Sequence, residues 1–568
     1  MIDAACIKQN QSRMANQRSS HDSLWREIVS LCYPDLKNFM GGQITQSKFI
    51  REQAQAISRH DPETVILVER AVALFISYVM PRGQRWQKLE LGDEGLMAKV
   101  ANQQWIEVLE RRLFALRNMP ESGFVTATND SVWSLYTMGP QSMWVDDRWD
   151  ANTGKWAGIR YESEFVGDIW IERDATGLPL RIHRRLVLTA EAAMVKWKDK
   201  SPRCVREAME KDNGKNRYAE FEFLHIIEPN HRYDPGRIDA MGKPWAGAYY
   251  AVNDDELFDV GGYRALPRLV SAYARRGGVN YGRSPAMVAL PKIREVVEME
   301  RDADWASELA LLPPILTADG LMDNGVLELS ALGVTEGGLD DRGNPLARPI
   351  QIEGNTTYAD QRIAQKRAVI ARIFQSDIMQ LEREYKSHIP AARVEEEKAE
   401  KGILLSPLAL QETEWLSPMT TRELSIAAER GLMDDMPDEI VEYLGSEGVM
   451  GIRYDNGLTA LQEAGKSAAF LSLAQQIGAV AAFDQSYIER FNREYPPERV
   501  IPALGRIAGV PAEMRATEEE RAAYDAQKAQ QQQLQQVLAA VPALAGAAKD
   551  VASAGAQGGG LPAPGMPG

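Results

Sequence analysis

Three short patterns in this sequence have residue types that could do chemistry, and each fails on spacing. Gly465-Lys466-Ser467 has the ending of a phosphate-binding loop. Such a loop needs a glycine five positions before Gly465, so that backbone N–H groups can wrap the phosphate, and that position holds Ala460. Lys466 therefore reads as a surface lysine on a helix. Gly277-Gly278-Val279-Asn280-Tyr281-Gly282 lacks dinucleotide-loop spacing and opens no βαβ unit, so it reads as a link into the segment that follows. The six histidines (His21, His60, His183, His225, His231 and His388) form neither H-x-x-x-H nor H-E-x-x-H. His225 and His231 bracket Glu228, which a metal could use; a strand histidine and a loop histidine is the ordinary reading. No G-x-S-x-G elbow is present to activate a serine. Glu107, Glu110 and the run Glu395-Glu396-Glu397 are acidic helix faces. The sequence thus offers no catalytic residue, no metal ligand set and no cofactor site. For so long a chain that points to a structural or assembly role.

Composition narrows the classes further. A chain of 568 residues is longer than one core usually organises, which predicts two to four sub-domains. A hydrophobic share of 44% and a charged share of 26% fit a folded globular chain. Lys and Arg number 65 against 80 Asp and Glu, a net charge of −15. A tight nucleic-acid binder needs the opposite balance to displace counterions, so any DNA contact here is expected to be local or sliding. Cys6, Cys32 and Cys204 form no C-x-x-C pair, which argues against a disulfide framework or a zinc ribbon. The opening MIDAACIKQNQSRM lacks the apolar region of a signal peptide. The longest clean apolar run, Ala71–Met80, falls short of the roughly 20 residues of a membrane span.

The elements predicted from periodicity give an α+β chain that is predominantly helical. Asp61 and Pro62 start a helix whose apolar body is Thr64–Met80, and Pro81-Arg82-Gly83 stops it. Trp105, Val108, Leu109, Arg112, Leu113 and Leu116 mark a second helix. Residues 140–270 look β-rich. Asp174–Gly177 has turn chemistry between strands Ile169–Arg173 and Leu178–Leu188, and Tyr218–Ile227 and Trp245–Val252 are further strands. Ser284-Pro285 caps a long helix running to about Leu312, with Pro291 restarting or kinking it and Leu290, Ile293, Val297, Trp305 and Leu309 as its apolar stripe. Pro313-Pro314 ends it. A Gly-, Asp- and Leu-rich module covers 315–356, and another helix follows over Tyr358–Glu384 with Ile363, Ile370, Ile373, Phe374 and Leu381 inward. Helices are also expected over Ala392–Leu416 and Leu458–Phe491, and from the capping box Thr517–Glu520 to Ala540, before a Gly/Ala/Pro-rich tail.

The two long central helices carry opposite charge. Between Lys292 and Glu308 three basic residues face six acidic ones, whereas Tyr358–Asp377 holds four basic and two acidic. Exposed pairs are worth only about 0–1 kcal/mol each, so the simplest reading is two solvated faces.

Four stretches, in order, resemble the portal (head-to-tail connector) proteins of short-tailed bacteriophages, the podoviruses. They are YVMPRGQRWQKLEL at Tyr78–Leu91, DIWIERDATGLPLRIHRR at Asp168–Arg185, YGRSPAMVALPKIREVVEMERDADWASELALLPPILTADG at Tyr281–Gly320 and YPPERVIPALGRIAGVPAEMRATEEER at Tyr495–Arg521. The third is the most specific. The chain departs from the family pattern near Ile389–Lys398, where a family threonine corresponds to Ala391 or Ala392, which leaves the tunnel-loop boundaries open. The resemblance implies a portal fold: wing 1–284, stem helices 285–312 and 357–380, clip 313–356, tunnel loop 381–394, a wing/crown connection 395–457, crown 458–513, a C-terminal helix 514–541 that in this family can build a barrel, and a flexible tail 542–568. It also implies a homo-oligomer, a dodecamer, at one capsid vertex of the virion, assembled in the host cytoplasm. That ring would pass double-stranded DNA during packaging and ejection. Its partners would be the terminase large subunit, which supplies the ATPase, head-tail adaptor and tail proteins, and the major capsid and scaffolding proteins, with no membrane. On this reading Arg383, Lys386 and Arg393 are the candidates for DNA contact in the channel. Glu295, Glu298 and Asp302 on one stem helix would meet Arg362, Lys366 and Arg367 of a neighbouring subunit. The readings set against it are another virion assembly or adaptor protein of the head-tail junction and, further off, a nuclease or ATPase.

Overall fold

The computed structural model describes residues 4–32, 62–82, 85–150, 152–210, 216–311, 356–375, 409–446 and 448–454, with short pieces at 315–317, 347–349, 473–478, 486–497 and around 522–531. Its mixed helices and antiparallel sheets make it an α+β protein. The chain divides into two compact units. The first comprises Met1–Lys88, Arg111–Asp435 and Ile452–Ala468, the second Leu89–Glu110, Met436–Gly451 and Ala469–Gly568.

The first unit is built on two antiparallel sheets. One has three strands in the order β2 (Trp156–Ser163), β1 (Pro140–Trp149) and β8 (Arg268–Ala272). The other is a five-stranded meander of β3 (Ile169–Arg173), β4 (Pro179–Thr189), β5 (Glu220–Pro229), β6 (Trp245–Ala251) and β7 (Glu256–Tyr263). The β3–β4 turn forms as its residues dictate. Asp174 Oδ1 accepts from the N–H groups of Thr176 and Leu178, both at 2.9 Å, and Gly177 takes φ +89°. A Cβ at Gly177 would lie 2.6 Å from the Arg275 guanidinium, so only glycine fits there.

Helix α1 (Ala4–Cys32) is polar on average, yet it buries a stripe of Ile7, Met14, Arg18, Trp25, Ile28 and Cys32 at helical spacing. Trp25 Nε1 donates to the Met138 carbonyl at 2.7 Å. The apolar helix α2 (Pro62–Val79) buries Leu67, Val68, Ala71, Val72 and Phe75. It packs on α3 (Phe124–Thr137), α4 (Pro285–Leu311) and α5 (Thr356–Ile373) in the main core. Phe75 stacks on Trp415 at 6.4 Å between ring centroids. Trp415 lies in a π-helical turn, Glu412–Leu416, that runs straight into α6 (Ser417–Glu429).

The expected helix start at Ser284-Pro285 is present: Ser284 Oγ accepts the Met287 N–H at 3.0 Å and donates to the Thr137 carbonyl at 2.6 Å. Pro291 neither restarts nor splits α4, which continues to Leu311. Leu290 and Ile293 are buried as expected, but Trp305 is 64% exposed and does not belong to the inward stripe. At about 100° per residue Trp305 lies about 120° round the helix from Ile293, off the face on which Ala286, Leu290, Ile293 and Val296 are buried. Helix α5 buries Ile363, Ile370 and Phe374 but ends at Ile373, earlier than the expected Glu384; Leu381 lies outside the described residues. The capping role expected of Asp61 also falls outside them.

In the second unit Asp93 caps the short helix Glu94–Ala98, accepting from Gly95 N–H at 2.6 Å. Lys99 pairs with Glu439 on the helix Asp438–Gly445 at 2.6 Å.

Candidate functional site

The described residues that bear on function fall into two sets: the charged faces of α4 and α5, and arginine-centred nodes inside the first unit. On α4 and α5 the opposite charges seen in the sequence meet within one chain. Lys366 Nζ binds Glu295, which also accepts from Lys292 at 3.0 Å, and Arg367 binds Glu300. The two lysines, Lys366 first, hold the Glu295 carboxyl below its usual pKa. Of the six residues singled out for contacts between neighbours, Glu295, Lys366 and Arg367 are thus engaged across the two helices of one chain, and Asp302 pairs with Arg301 at 3.6 Å. Glu298, Asp302 and Arg362 are exposed on the same helices. Glu300, missed in the sequence, is the partner of Arg367; Glu27 of α1, also missed, binds Arg294. The channel candidates Arg383, Lys386 and Arg393 lie outside the described residues.

The nodes are a different construction. Glu164, fully buried, accepts from Arg268 at 2.6 and 3.1 Å, from Arg184 at 2.6 Å and from Ser142 Oγ at 3.0 Å. Burial alone would raise its pKa; the two arginine charges outweigh burial and lower it. Arg268 also stacks over Trp144 and donates to His225 Nδ1 at 2.9 Å. His225 is therefore buried with its Nδ1 taken by a guanidinium, which leaves that nitrogen closed to a cation, and His231 is exposed. A second node sets Arg117 against the touching rings of Trp86 and Phe114, 4.9 Å from the centre of each. There it binds both oxygens of buried Glu423 and donates to Gln87 Oε1 at 2.7 Å. Tyr161 Oη donates to the same carboxylate at 2.6 Å. Helix α6 is clamped to β1 by two more pairs, Arg422–Asp146 at 2.8 Å and Arg430–Asp147 at 2.6 Å.

These groups hold elements together. Each carboxylate is bound by an arginine from another element of the fold. Among the described residues no group of three or more His, Cys, Asp or Glu could hold a metal ion. Among the described residues, too, no helix is long and apolar enough to cross a membrane.

Comparison with known proteins accounts for this pattern. Residues 4–515 match the family described as bacteriophage head to tail connecting protein. The portal protein of Salmonella phage epsilon15 is 24% identical over 550 residues, covering 95% of this chain and 93% of that protein. The probable portal protein of Bordetella phage BPP-1 is 22% identical over 539 residues, covering 93% of this chain and 91% of that protein. With a match running nearly end to end and an interior of structural ion pairs, the chain belongs to the bacteriophage head to tail connecting proteins and has a portal's structural function in the virion, not an enzyme's.

Proposed function

We propose that the chain is one subunit of a closed twelve-fold portal ring at a capsid vertex, through which double-stranded DNA is packaged and ejected. The observation that supports this reading best is the helix pair α4–α5: two charged helices laid side by side, joined by residues 312–355, within a chain that matches the connector family. On this reading 285–312 and 357–380 are the stem and 313–356 the clip. Residues 1–284 are the wing, linked by 395–457 to a crown at 458–513. The helix 514–541 and the tail 542–568 follow.

The mechanism is mechanical. A ring needs a head-to-tail interface that closes on itself. A chain with net charge −15 lines a channel that repels phosphates, which lets DNA slide without sticking. A few cations, Arg383, Lys386 and Arg393 on the tunnel loop 381–394, make transient contacts. Force comes from the terminase large subunit docked on the clip; adaptor and tail proteins later take its place, and capsid and scaffolding proteins surround the wing. Assembly takes place in the host cytoplasm.

Electron microscopy of the purified protein, viewed down the symmetry axis, tests the architecture. Closed rings of about twelve subunits with a duplex-wide channel support it. A monomer or open filament under conditions that assemble other portals overturns it. Replacing Arg383, Lys386 and Arg393 together by Ala tests the loop assignment, and normal packaging and DNA retention in that variant would remove it.

A further inference from the structure

Beside the β3–β4 hairpin of the first unit lies a cleft of about 810 Å3. Its walls are apolar: Leu178, Trp245, Leu266, Leu269, Leu410 and Pro418. Its charged groups are three arginines, Arg173, Arg264 and Arg275, against two carboxylates, Asp174 and Glu414. The carboxylates are already used. Glu414 accepts from Arg275 at 2.6 and 3.0 Å and from the Ala272 N–H at 3.3 Å. Asp174 Oδ1 is committed to its own turn.

Arg173 is the exception among the arginines. Its side chain is 4% exposed, with Nη1 donating to the Gly177 carbonyl at 2.9 Å and Nε to the Asn280 carbonyl at 3.3 Å. Its Nη2 stands 3.9 Å from Glu414, within ion-pair range but too far for a hydrogen bond, and no acceptor among the described residues reaches it. A buried guanidinium N–H can only donate, and leaving it unmet is costly. Arg264 pairs with Glu429 at 3.3 Å, so the cleft combines one guanidinium N–H without an acceptor with leucine-rich walls.

We propose that this cleft docks a segment of another polypeptide, one that places an Asp or Glu side chain on Arg173 with apolar side chains on either side. Its volume lies within the roughly 300–1,000 Å3 of cavities that enclose a ligand, room for a few side chains. A nucleic-acid strand fits poorly, because it would bring many phosphates to one free donor.

The test is fluorescence anisotropy of fluorescein-labelled peptides GSLLDLLSG and GSLLNLLSG with the purified full chain. The aspartate peptide is expected to bind saturably, and the asparagine peptide about tenfold more weakly, since the charge-assisted bond is lost. Thr421→Trp at the exposed rim should weaken binding about tenfold by filling the cleft, and Leu178→Ser by a smaller factor, with unchanged circular dichroism in both. Absence of saturable binding, equal binding of the two peptides, or undiminished binding by a folded Thr421→Trp variant would each overturn the proposal.

Discussion

Ion pairs occur in two regions of this protein under opposite conditions. At the Arg268–Glu164 node both side chains are fully buried, the carboxylate has three donors, and the guanidinium is stacked on Trp144. On α4 and α5 the Lys366–Glu295 pair is partly exposed, with Glu295 at 41%. The first arrangement cannot exchange partners without leaving a charge in a dry interior. The second can, because water and a neighbouring cation substitute at little cost. Fixed pairs therefore suit the sheet-bearing part of the first unit, and exchangeable ones suit the two helices proposed to face other subunits.

The largest effect follows from breaking a fixed pair. Arg268→Met leaves Glu164 with Arg184 as its one cation beside the Ser142 hydroxyl and removes the donor on His225, so a loss of about 3–5 kcal/mol is expected. Shifts in the denaturant midpoint measure it. A change under about 1 kcal/mol would mean that water enters the node and that the two regions do not differ as argued.

The next effect is acid sensitivity, which the same burial imposes. His183 is buried, with Nδ1 on Gln11 Oε1 at 2.8 Å. Burial, then the charges of Arg181 and Arg268, push it down to about 3. His225 is lowered too, by burial first and then by Arg268. The unfolded chain takes up a proton on each below about pH 6.5, while the folded protein does not. Each histidine's contribution is therefore complete above that pH. As pH falls from about 6.5 toward 3, the His183 contribution is lost at about 1.4 kcal/mol per pH unit. Unfolding midpoints at stepped pH should fall accordingly, and His183→Gln should flatten the slope. An unchanged slope would show that His183 protonates readily while folded.

These nodes were not legible in the sequence, and the reason is physical. Strand β1 reads PQSMWVDDRW, without a clean alternation, because Gln141 and Ser142 are buried beside Met143. Gln141 Nε2 donates to Ser271 Oγ, and Ser142 Oγ to Glu164. A buried polar residue with a partner from a distant strand looks like a surface residue until the fold pairs them. Strand β8, which buries Arg268 and Ser271, is hidden in the same way. Elements whose signal is local were readable: the apolar run of α2, the Ser284 cap of α4, the Asp174–Gly177 turn and the strands around it. The opposite charge of α4 and α5 was readable as well, but not that Glu295 and Lys366 meet within one chain.

A smaller effect is expected at that turn. Gly177→Ala forces a side chain into φ +89° and against Arg275, at a cost of about 1–2 kcal/mol. Thermal unfolding measures it. A neutral result would mean the Arg275 guanidinium moves aside freely, which would class its pair with Glu414 among the exchangeable ones.

The smallest effect on the isolated chain separates the two regions most sharply. Glu295→Lys should change the stability of the monomer by less than about 1 kcal/mol, because Lys366 is left facing water. Assembly of the proposed ring can still depend on where the charge finds its partner. Chains carrying Glu295→Lys, mixed with chains carrying Lys366→Glu, provide the discriminating measurement by analytical ultracentrifugation. If the helices exchange partners between subunits, the mixture assembles better than either variant alone, and the advantage shrinks as salt rises. If the pairs remain inside each chain, mixing confers nothing and only the double variant Glu295→Lys with Lys366→Glu recovers the native behaviour. The second outcome would make α4 and α5 a fixed unit like the buried nodes, and the interface that closes the ring would have to be sought elsewhere on the subunit.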